Sequence, residues 1–365
     1  MSDITDNKEN YSAVQSENHA AERNVEGEEK SGKKTIPWVI IISGAFLILA
    51  LFGLSYFLIK KWEGSSEFYI DTSIDTETET DDRVVLLPSD LFRQDDDGVT
   101  TILVFGNDTF GDSTDGPSIV KLLQENSTAT IYDCTFPGSY MCTMTSEGPG
   151  ESDYPIDWFC LYWLWECAKN GKLSDQKKAL DSIDGIDKAL YREHLATLES
   201  IDLNTVDYML ICYDGHDYLQ GHPYIKQGDE FNPMCVNGVI YGIYEKVTGN
   251  YPGMQIAFIS PAYCYAVDKT GKKRGGNFVK IDGQTLTDML LFMKVKTGEF
   301  GLSYVDDYFG VKINEETADM YLTNDNVVPN LKGKKLIAAH VLNKVIRRVE
   351  VKQSGLNGLI PQMEK

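Results

Sequence analysis

The sequence of 365 residues predicts an α/β fold, with a parallel sheet between two layers of helices and one transmembrane helix before it. After residue 97, five short apolar runs typical of buried strands alternate with segments that have helical signals. Strands that alternate with helices form a parallel sheet joined by right-handed crossovers. The run from Thr35 to Ile59 contains no charged residue, which predicts the transmembrane helix.

The predicted elements of the sheet domain follow one another without an internal repeat. Strands are expected at 101–105, 129–134, 208–213, 255–260 and 302–305. Helices are expected at 118–125, 156–169, 186–200, 233–247, 285–296 and 331–349. Aromatic residues of 158–168 fall on more than one helix face, which favours a helix wedged between the sheet and its neighbours over a substrate platform. We therefore expect one folded domain over residues 98–350.

The residues before this domain predict a tail and a membrane anchor. Residues 1–34 are almost free of large apolar side chains, so we expect a disordered tail. Residues 35–61 form the predicted transmembrane helix, with Trp38, Tyr56 and Trp62 near the membrane interfaces. A cleaved signal peptide is the alternative, but the apolar run is too long for one and the preceding region is long and acidic.

The lysines around the apolar run favour one orientation only slightly. Lys30, Lys33 and Lys34 precede the run, while Lys60 and Lys61 follow it. This excess favours an amino terminus inside the cell and places the large carboxyl-terminal domain outside the cytoplasm. Residues 62–97 contain an acidic run and are expected to form an extended juxtamembrane linker, and residues 351–365 form the carboxyl-terminal tail.

The composition limits the classes of partner and cofactor. The formal net charge of −21 argues against nucleic acid as a partner, because phosphate binding needs a basic face. The seven cysteines form neither a Cys-x-x-Cys pair nor a metal-ligand spacing, and their odd number leaves at least one thiol unpaired in the monomer. The sequence therefore predicts no metal and no other cofactor.

Polar residues directly after the first strand carry a resemblance to a known family. Gly106, Asn107 and Asp108 follow the strand at the edge where open α/β sheets bind their ligands. The segment resembles the first block of the SGNH/GDSL hydrolases, in which Gly-Asp-Ser ends a strand and supplies the nucleophilic serine. Asp108 stands at the nucleophile position of this register. A literal Gly-Asp-Ser begins at Gly111, several residues farther on, and makes Ser113 an alternative nucleophile.

The remaining blocks of the family also follow predicted strands. Gly138 matches the glycine of the second block, whose amide donates to an oxyanion in the family. The third block reads Asp-Gly-His-Asp here, so that His216 replaces the asparagine that would donate to the oxyanion. The last block keeps Asp325 and a following Pro-Asn but has Val328 at the position of the catalytic histidine. A valine can neither accept nor return a proton.

The resemblance implies a flavodoxin-like, three-layer α/β/α domain with a five-stranded parallel sheet, in a membrane-anchored bacterial member of the family. Three altered positions at one predicted crevice favour a non-catalytic domain that binds or organises a carbohydrate or a partner protein at the cell surface. An active esterase, by family analogy an O-deacetylase of surface carbohydrate, is the alternative. His222 and His340 are expected to be surface residues in either case.

Overall fold

A computed structural model describes residues 80–86, 99–145, 149, 153–229 and 231–349, together with five single residues between 47 and 54. The chain divides into two units, residues 1–75 and residues 76–365. The predicted tails 1–34 and 351–365, most of the anchor and most of the linker lie outside the described residues. Among the residues that are described, no helix is long and apolar enough to cross a membrane. The anchor therefore stays a prediction.

The predicted parallel sheet of five strands is confirmed. The described strands are β1 (Thr101–Gly106), β2 (Thr130–Thr135), β3 (Tyr208–Cys212), β4 (Gln255–Ile259), β5 (Tyr265–Val267), β6 (Lys273–Gly275) and β7 (Ser303–Val305). The main sheet has the order β2-β1-β3-β4-β7, and all of its pairs are parallel. This is the flavodoxin-like order, which turns at β1 and opens a crevice beyond the carboxyl ends of β1 and its neighbours.

Helices cover the sheet as the alternating pattern predicts. They are α1 (Asp108–Gly111), α2 (Ile119–Glu125), α3 (Leu161–Ala168), α4 (Ser174–Ala179), α5 (Lys188–Ser200), α6 (His216–Gln220), α7 (Val236–Asn250), α8 (Leu286–Glu299), α9 (Asp307–Gly310), α10 (Ala318–Tyr321) and α11 (Leu331–Val341), which continues as a π turn over Leu342–Ile346. The start of α11 is fixed by Asn330, whose side chain accepts hydrogen bonds from the amides of Lys332 and Gly333.

The apolar core lies between the sheet and these helices. Every residue of β1 is buried, as expected for a central strand with helices on both faces. Trp165 of α3 is fully buried and meets Phe105 edge to face, with 6.3 Å between ring centroids. The aromatic segment therefore serves packing, as the sequence predicts.

One part of the predicted linker belongs to the sheet domain. The backbone of Arg83 pairs with Tyr304 on the edge strand β7, and the amide of Asp306 donates to Asp82 over 2.8 Å. The Arg83 guanidinium donates to the carbonyl of Leu302 and to the hydroxyl of Thr297. The structure thus corrects the predicted linker 62–97: residues 80–86 pack on the sheet instead of forming a free spacer. Pairing satisfies backbone groups that an edge strand would otherwise expose.

Candidate functional site

The loops after β1, β2 and β3 meet at the carboxyl edge of the sheet, where the sequence predicts a crevice. Gly106 ends β1 between its neighbours Thr135 and Cys212, and a Cβ atom at this position would collide with the carbonyl oxygen of Cys212. Glycine is therefore required for the close approach of these strands. Asp108 then opens the one-turn helix α1 and faces the loop that carries Gly138.

The two residues assigned to the nucleophile and to the oxyanion donor contact each other. The amide of Gly138 donates to Oδ2 of Asp108 over 2.8 Å. Gly138 has φ of 92°, a left-handed conformation that glycine adopts without strain. Burial and the charge of Asp214 raise the pKa of Asp108 to about 6, against the opposing effects of the Gly138 amide and His216. An endogenous carboxylate therefore occupies the donor that the family resemblance reserves for an oxyanion.

The Nδ1 atom of His216 is held by carboxylates. It donates to Oδ1 of Asp214 over 2.8 Å and lies 3.9 Å from Oδ2 of Asp108. Burial lowers the pKa of His216, but the charge and hydrogen bond of Asp214, followed by the charges of Asp108 and Asp325, outweigh burial and raise it to about 9. The imidazole is consequently a cation at neutral pH, and it compensates the charge of the carboxylates around it.

Asp214 is the centre of this cluster, and sequence reasoning did not assign it a role. Its carboxylate is buried and accepts hydrogen bonds from the side chain of Asn107, from the amide and hydroxyl of Thr109, and from the amide and ring of His216. Burial raises the pKa of Asp214, but these donors and the His216 charge lower it overall. The one signal in the sequence was its place directly after a buried strand.

The last block lies beside the cluster without supplying a base. Val328 is buried, with 5% of its surface exposed. Asp325 is exposed, and its Oδ1 accepts hydrogen bonds from the amides of Val327 and Val328. Asp325 thus fixes its own loop, and its charge acts on His216.

The literal Gly-Asp-Ser sequence has a structural environment of its own. Gly111 packs so closely against Thr135 and Pro137 that a side chain would not fit. The fully buried ammonium of Lys334 in α11 donates to Oδ2 and to the carbonyl oxygen of Asp112, each over 2.8 Å. Ser113 is exposed in the following loop, and its side chain makes none of the hydrogen bonds described for this part of the chain.

The expectation that His222 and His340 are surface residues is wrong. Both are buried, since each pairs with a carboxylate that removes the cost of burying an imidazole N–H. His222 donates from Nδ1 to Asp217 over 2.8 Å, and Asp217 also accepts from the amides of Met141 and Cys142. His340 contacts Asp307 over 2.7 Å and Asp82 over 3.2 Å. The two partners of His340 lie 33 and 258 residues away in the sequence, so the local sequence around His340 does not predict these contacts.

Two groups of side chains have the chemistry to hold a metal ion. They are Asp108 with Asp214 and His216, and Cys142 with Asp217 and His222, each with ligand atoms within 4.8 Å of one another. In both groups a histidine Nδ1–H already donates to a carboxylate. The Asp214 and Asp217 carboxylates also accept backbone amides, so the protein itself satisfies them.

Comparisons with known proteins give low similarity. No protein-family model matches the sequence, and no curated protein matches it. Among solved structures, a protein from Lactobacillus plantarum is 13% identical, with 67% of this chain and 95% of that chain covered and a TM-score of 0.45. A lipase/acylhydrolase from Enterococcus faecalis is 11% identical, with coverage of 68% and 97% and a TM-score of 0.39. The assignment of the α/β fold rests on the five-stranded parallel sheet of this chain.

Proposed function

We propose that this crevice binds a ligand without hydrolysing it, in an SGNH/GDSL-like domain that the predicted helix anchors at the cell membrane. The observation that carries the proposal is the hydrogen bond from Gly138 to Asp108. Hydrolysis of an ester needs an empty donor at the position where negative charge develops. Here the donor is engaged by a carboxylate, whose own charge would repel an oxyanion.

The base that a hydroxyl nucleophile would need is also missing from its family position. Val328 is buried there and has no group that accepts a proton. General base catalysis typically contributes about 10²–10⁴-fold to the rate. Loss of one oxyanion donor costs about 10²–10³-fold. Together these losses argue against an enzyme-like rate at this crevice.

An aspartyl nucleophile at Asp108 would require His216 to activate water. A pKa of about 9 leaves His216 protonated at neutral pH, and a protonated imidazole cannot accept another proton. The same charge suits a binding role, because the cation lies beside Asp108 and Asp214 and offsets their negative charge. This argues against the aspartyl route and favours a preorganised polar pocket.

The side chains around the pocket suit a hydroxyl-rich ligand such as a carbohydrate. Asp108 and His216 are partly exposed, so they can exchange hydrogen bonds with hydroxyl groups. Tyr140, half-buried in the loop after β2, packs edge to face on His222 with ring centroids 5.4 Å apart. Burial raises the pKa of its hydroxyl, as do the charges of Asp217, Asp108 and Asp214, so Tyr140 stays neutral and offers an apolar ring beside polar groups.

Hydrolysis assays on the purified full-length protein test this proposal. We expect only background hydrolysis of p-nitrophenyl acetate and acetylated sugars, and no labelling by a fluorophosphonate probe for reactive serines. Stoichiometric labelling that is lost in Ser113→Ala but kept in Asp108→Ala would contradict the proposal. That result would favour the alternative, an esterase that uses the displaced Gly-Asp-Ser.

A gain-of-function variant tests the register of the blocks separately. Asp108→Ser would free the Gly138 amide and supply a hydroxyl, and Val328→His would supply a base on the loop that carries Asp325. We expect the double variant to hydrolyse p-nitrophenyl acetate above background and the two single variants to remain inactive. Equal background rates for all three would mean that Val328 does not face the crevice.

A further inference from the structure

The hairpin formed by β5 and β6 carries an unusual concentration of positive charge. Residues 269–274 contain four of the 34 lysine and arginine residues, in a chain whose formal net charge is −21. These are Lys269, Lys272, Lys273 and Arg274, and all four are exposed. A local basic surface on an acidic protein attracts anions that the remaining surface repels.

Contacts of the hairpin place it at the rim of the candidate crevice. The hairpin follows β4 and so leaves the sheet at the carboxyl edge, where the loops of Asp108, Gly138 and Asp214 also lie. The amide of Tyr265 donates to the carbonyl of Asn326 over 3.0 Å, and Nζ of Lys273 donates to Oδ1 of Asn326 over 3.1 Å. Asn326 directly follows Asp325, whose charge acts on His216.

Two of the four cations remain available for a ligand. Lys273 pairs with Asp319 over 3.2 Å, and Arg274 pairs with Asp268 over 3.3 Å. For Lys269 and Lys272, no acidic side chain of the described residues lies within ion-pair distance. Both residues lie in the turn 268–272, which the φ of 80° at Gly271 helps to form, so they are at the tip of the hairpin.

We propose that the tip of this hairpin binds the anionic groups of an acidic carbohydrate polymer. The inference rests on the proposed function, in which the crevice binds a hydroxyl-rich ligand. The uncharged hydroxyl groups of the polymer would bind in the crevice, and its anionic groups would bind at the hairpin. Asp108, Asp214 and Asp325 would repel an anion from the crevice, while Lys269 and Lys272 attract one at the rim. Exposed Val267 and Phe278 on either side of the basic residues provide apolar surface beside the sugar.

A matched pair of charge reversals tests the surface. The probe is fluorescein-labelled alginate, a carboxylated polysaccharide, with fluorescein-labelled dextran as the uncharged polymer, and binding to the full-length protein is followed by anisotropy. Lys269→Glu with Lys272→Glu should weaken alginate binding about tenfold or more at low salt and flatten its salt dependence, since fewer counterions are released. Lys172→Glu with Lys335→Glu makes the same charge change at two exposed lysines that also lack an ion pair among the described residues, and this variant should bind like the unchanged protein.

Three outcomes would overturn or separate the claims. Equal loss of affinity in both double variants would mean that net charge, not the hairpin, governs binding. If the protein does not bind alginate but sediments with phosphatidylglycerol vesicles in a way that depends on the hairpin, the partner is a membrane surface. This result would overturn the proposal that the hairpin binds an acidic polymer. Hairpin-dependent binding of alginate that His216→Ala leaves unchanged would support the basic surface while contradicting the proposed role of the crevice.

Discussion

At the scale of single residues, the contact between Asp108 and Gly138 decides how the crevice is interpreted. A serine hydroxyl at position 108 would leave the glycine amide free, whereas the carboxylate accepts it over 2.8 Å. The aspartate then needs a counter-charge, which His216 supplies at 3.9 Å. Asp108 and His216 therefore belong, together with Asp214, to one ionic group.

Asp108→Asn should stabilise the protein at alkaline pH. The pKa of Asp108 is raised to about 6, so the folded state prefers the protonated carboxyl, and its contribution to stability is present below pH 4 and lost as pH rises through 6. The side chain is 26% exposed, which reduces the full effect of the shift to about 1 kcal/mol at pH 8. Urea unfolding at pH 5 and pH 8 measures the difference.

The control for this experiment is Asp325→Asn, because Asp325 is an exposed carboxylate on the neighbouring loop. It should not show the same rise in stability between pH 5 and pH 8. If Asp108→Asn destabilises the protein equally at both pH values, the carboxylate is stabilised by its partners and the raised pKa is wrong.

At the scale of elements, the loop before α11 joins the candidate site to the core. The backbones of Leu322 and Pro329 pair across this loop. Val328 directly precedes Pro329 and is buried. Gly333 in the first turn of α11 packs so closely on Tyr321 that a Cβ atom would not fit. The loop is therefore held at both ends, and a charged side chain at position 328 would take the buried place of the valine.

Val328→Asp should destabilise the fold by about 2–4 kcal/mol, because it buries an unpaired carboxylate. Val328→Thr has a similar shape and a smaller polar group, so it should cost less. Thermal unfolding of both variants measures which of the two loses more stability. An unchanged midpoint for Val328→Asp would mean that this loop opens to water in solution.

The segment 80–86 is a second element that depends on a buried ionic group. Asp82 contacts His340, Lys344 and the amide of Asp306. Burial raises the pKa of Asp82, but His340, Thr80 and the Asp306 amide hold it well below its usual range. Burial lowers the pKa of His340, but Asp307 and Asp82 raise it to about 9. Burial also raises the pKa of Asp307 to about 6.

These shifts predict the pH range in which segment 80–86 stays attached. The stabilisation that comes from the raised pKa of His340 is complete below pH 6.5 and is lost as pH rises through 9. The stabilisation that comes from the lowered pKa of Asp82 is complete above pH 4 and is lost only in strong acid. Amide exchange at Arg83 and Tyr304 should therefore accelerate above pH 9 beyond the ordinary chemical increase.

Asp82→Asn should accelerate the same exchange already at pH 7, because the histidine loses one of its two carboxylates. Asp181→Asn, an exposed carboxylate on the turn after α4, is the matched control. Equal exchange in the two variants would contradict the role given to Asp82.

At the scale of the whole molecule, the sequence predicts what depends on local pattern. The fully buried run of β1 and the capped start of α11 are both marked by neighbouring residues. The strands of the β5 and β6 hairpin have three residues each, too few for a periodicity to appear. The contact of Asn107 with Asp214 joins positions 107 residues apart, so only the crossover between β1 and β3 creates it. The blocks indicated which loops meet, but not that Asp108 would occupy the Gly138 amide.

The predicted anchor is a property of the whole chain, and its test is independent of the site. The run from Thr35 to Ile59 has no charged residue, and it is longer than the roughly 20 residues that cross a bilayer core of about 30 Å. The full-length protein should sediment with membranes and resist carbonate extraction, whereas removal of residues 1–62 should release it. Protease added to intact cells should digest the domain, since the excess of lysines before the run favours an inside amino terminus. A full-length chain that remains in the supernatant without detergent would exclude the anchor, and the proposed ligand would then have to be sought away from the membrane.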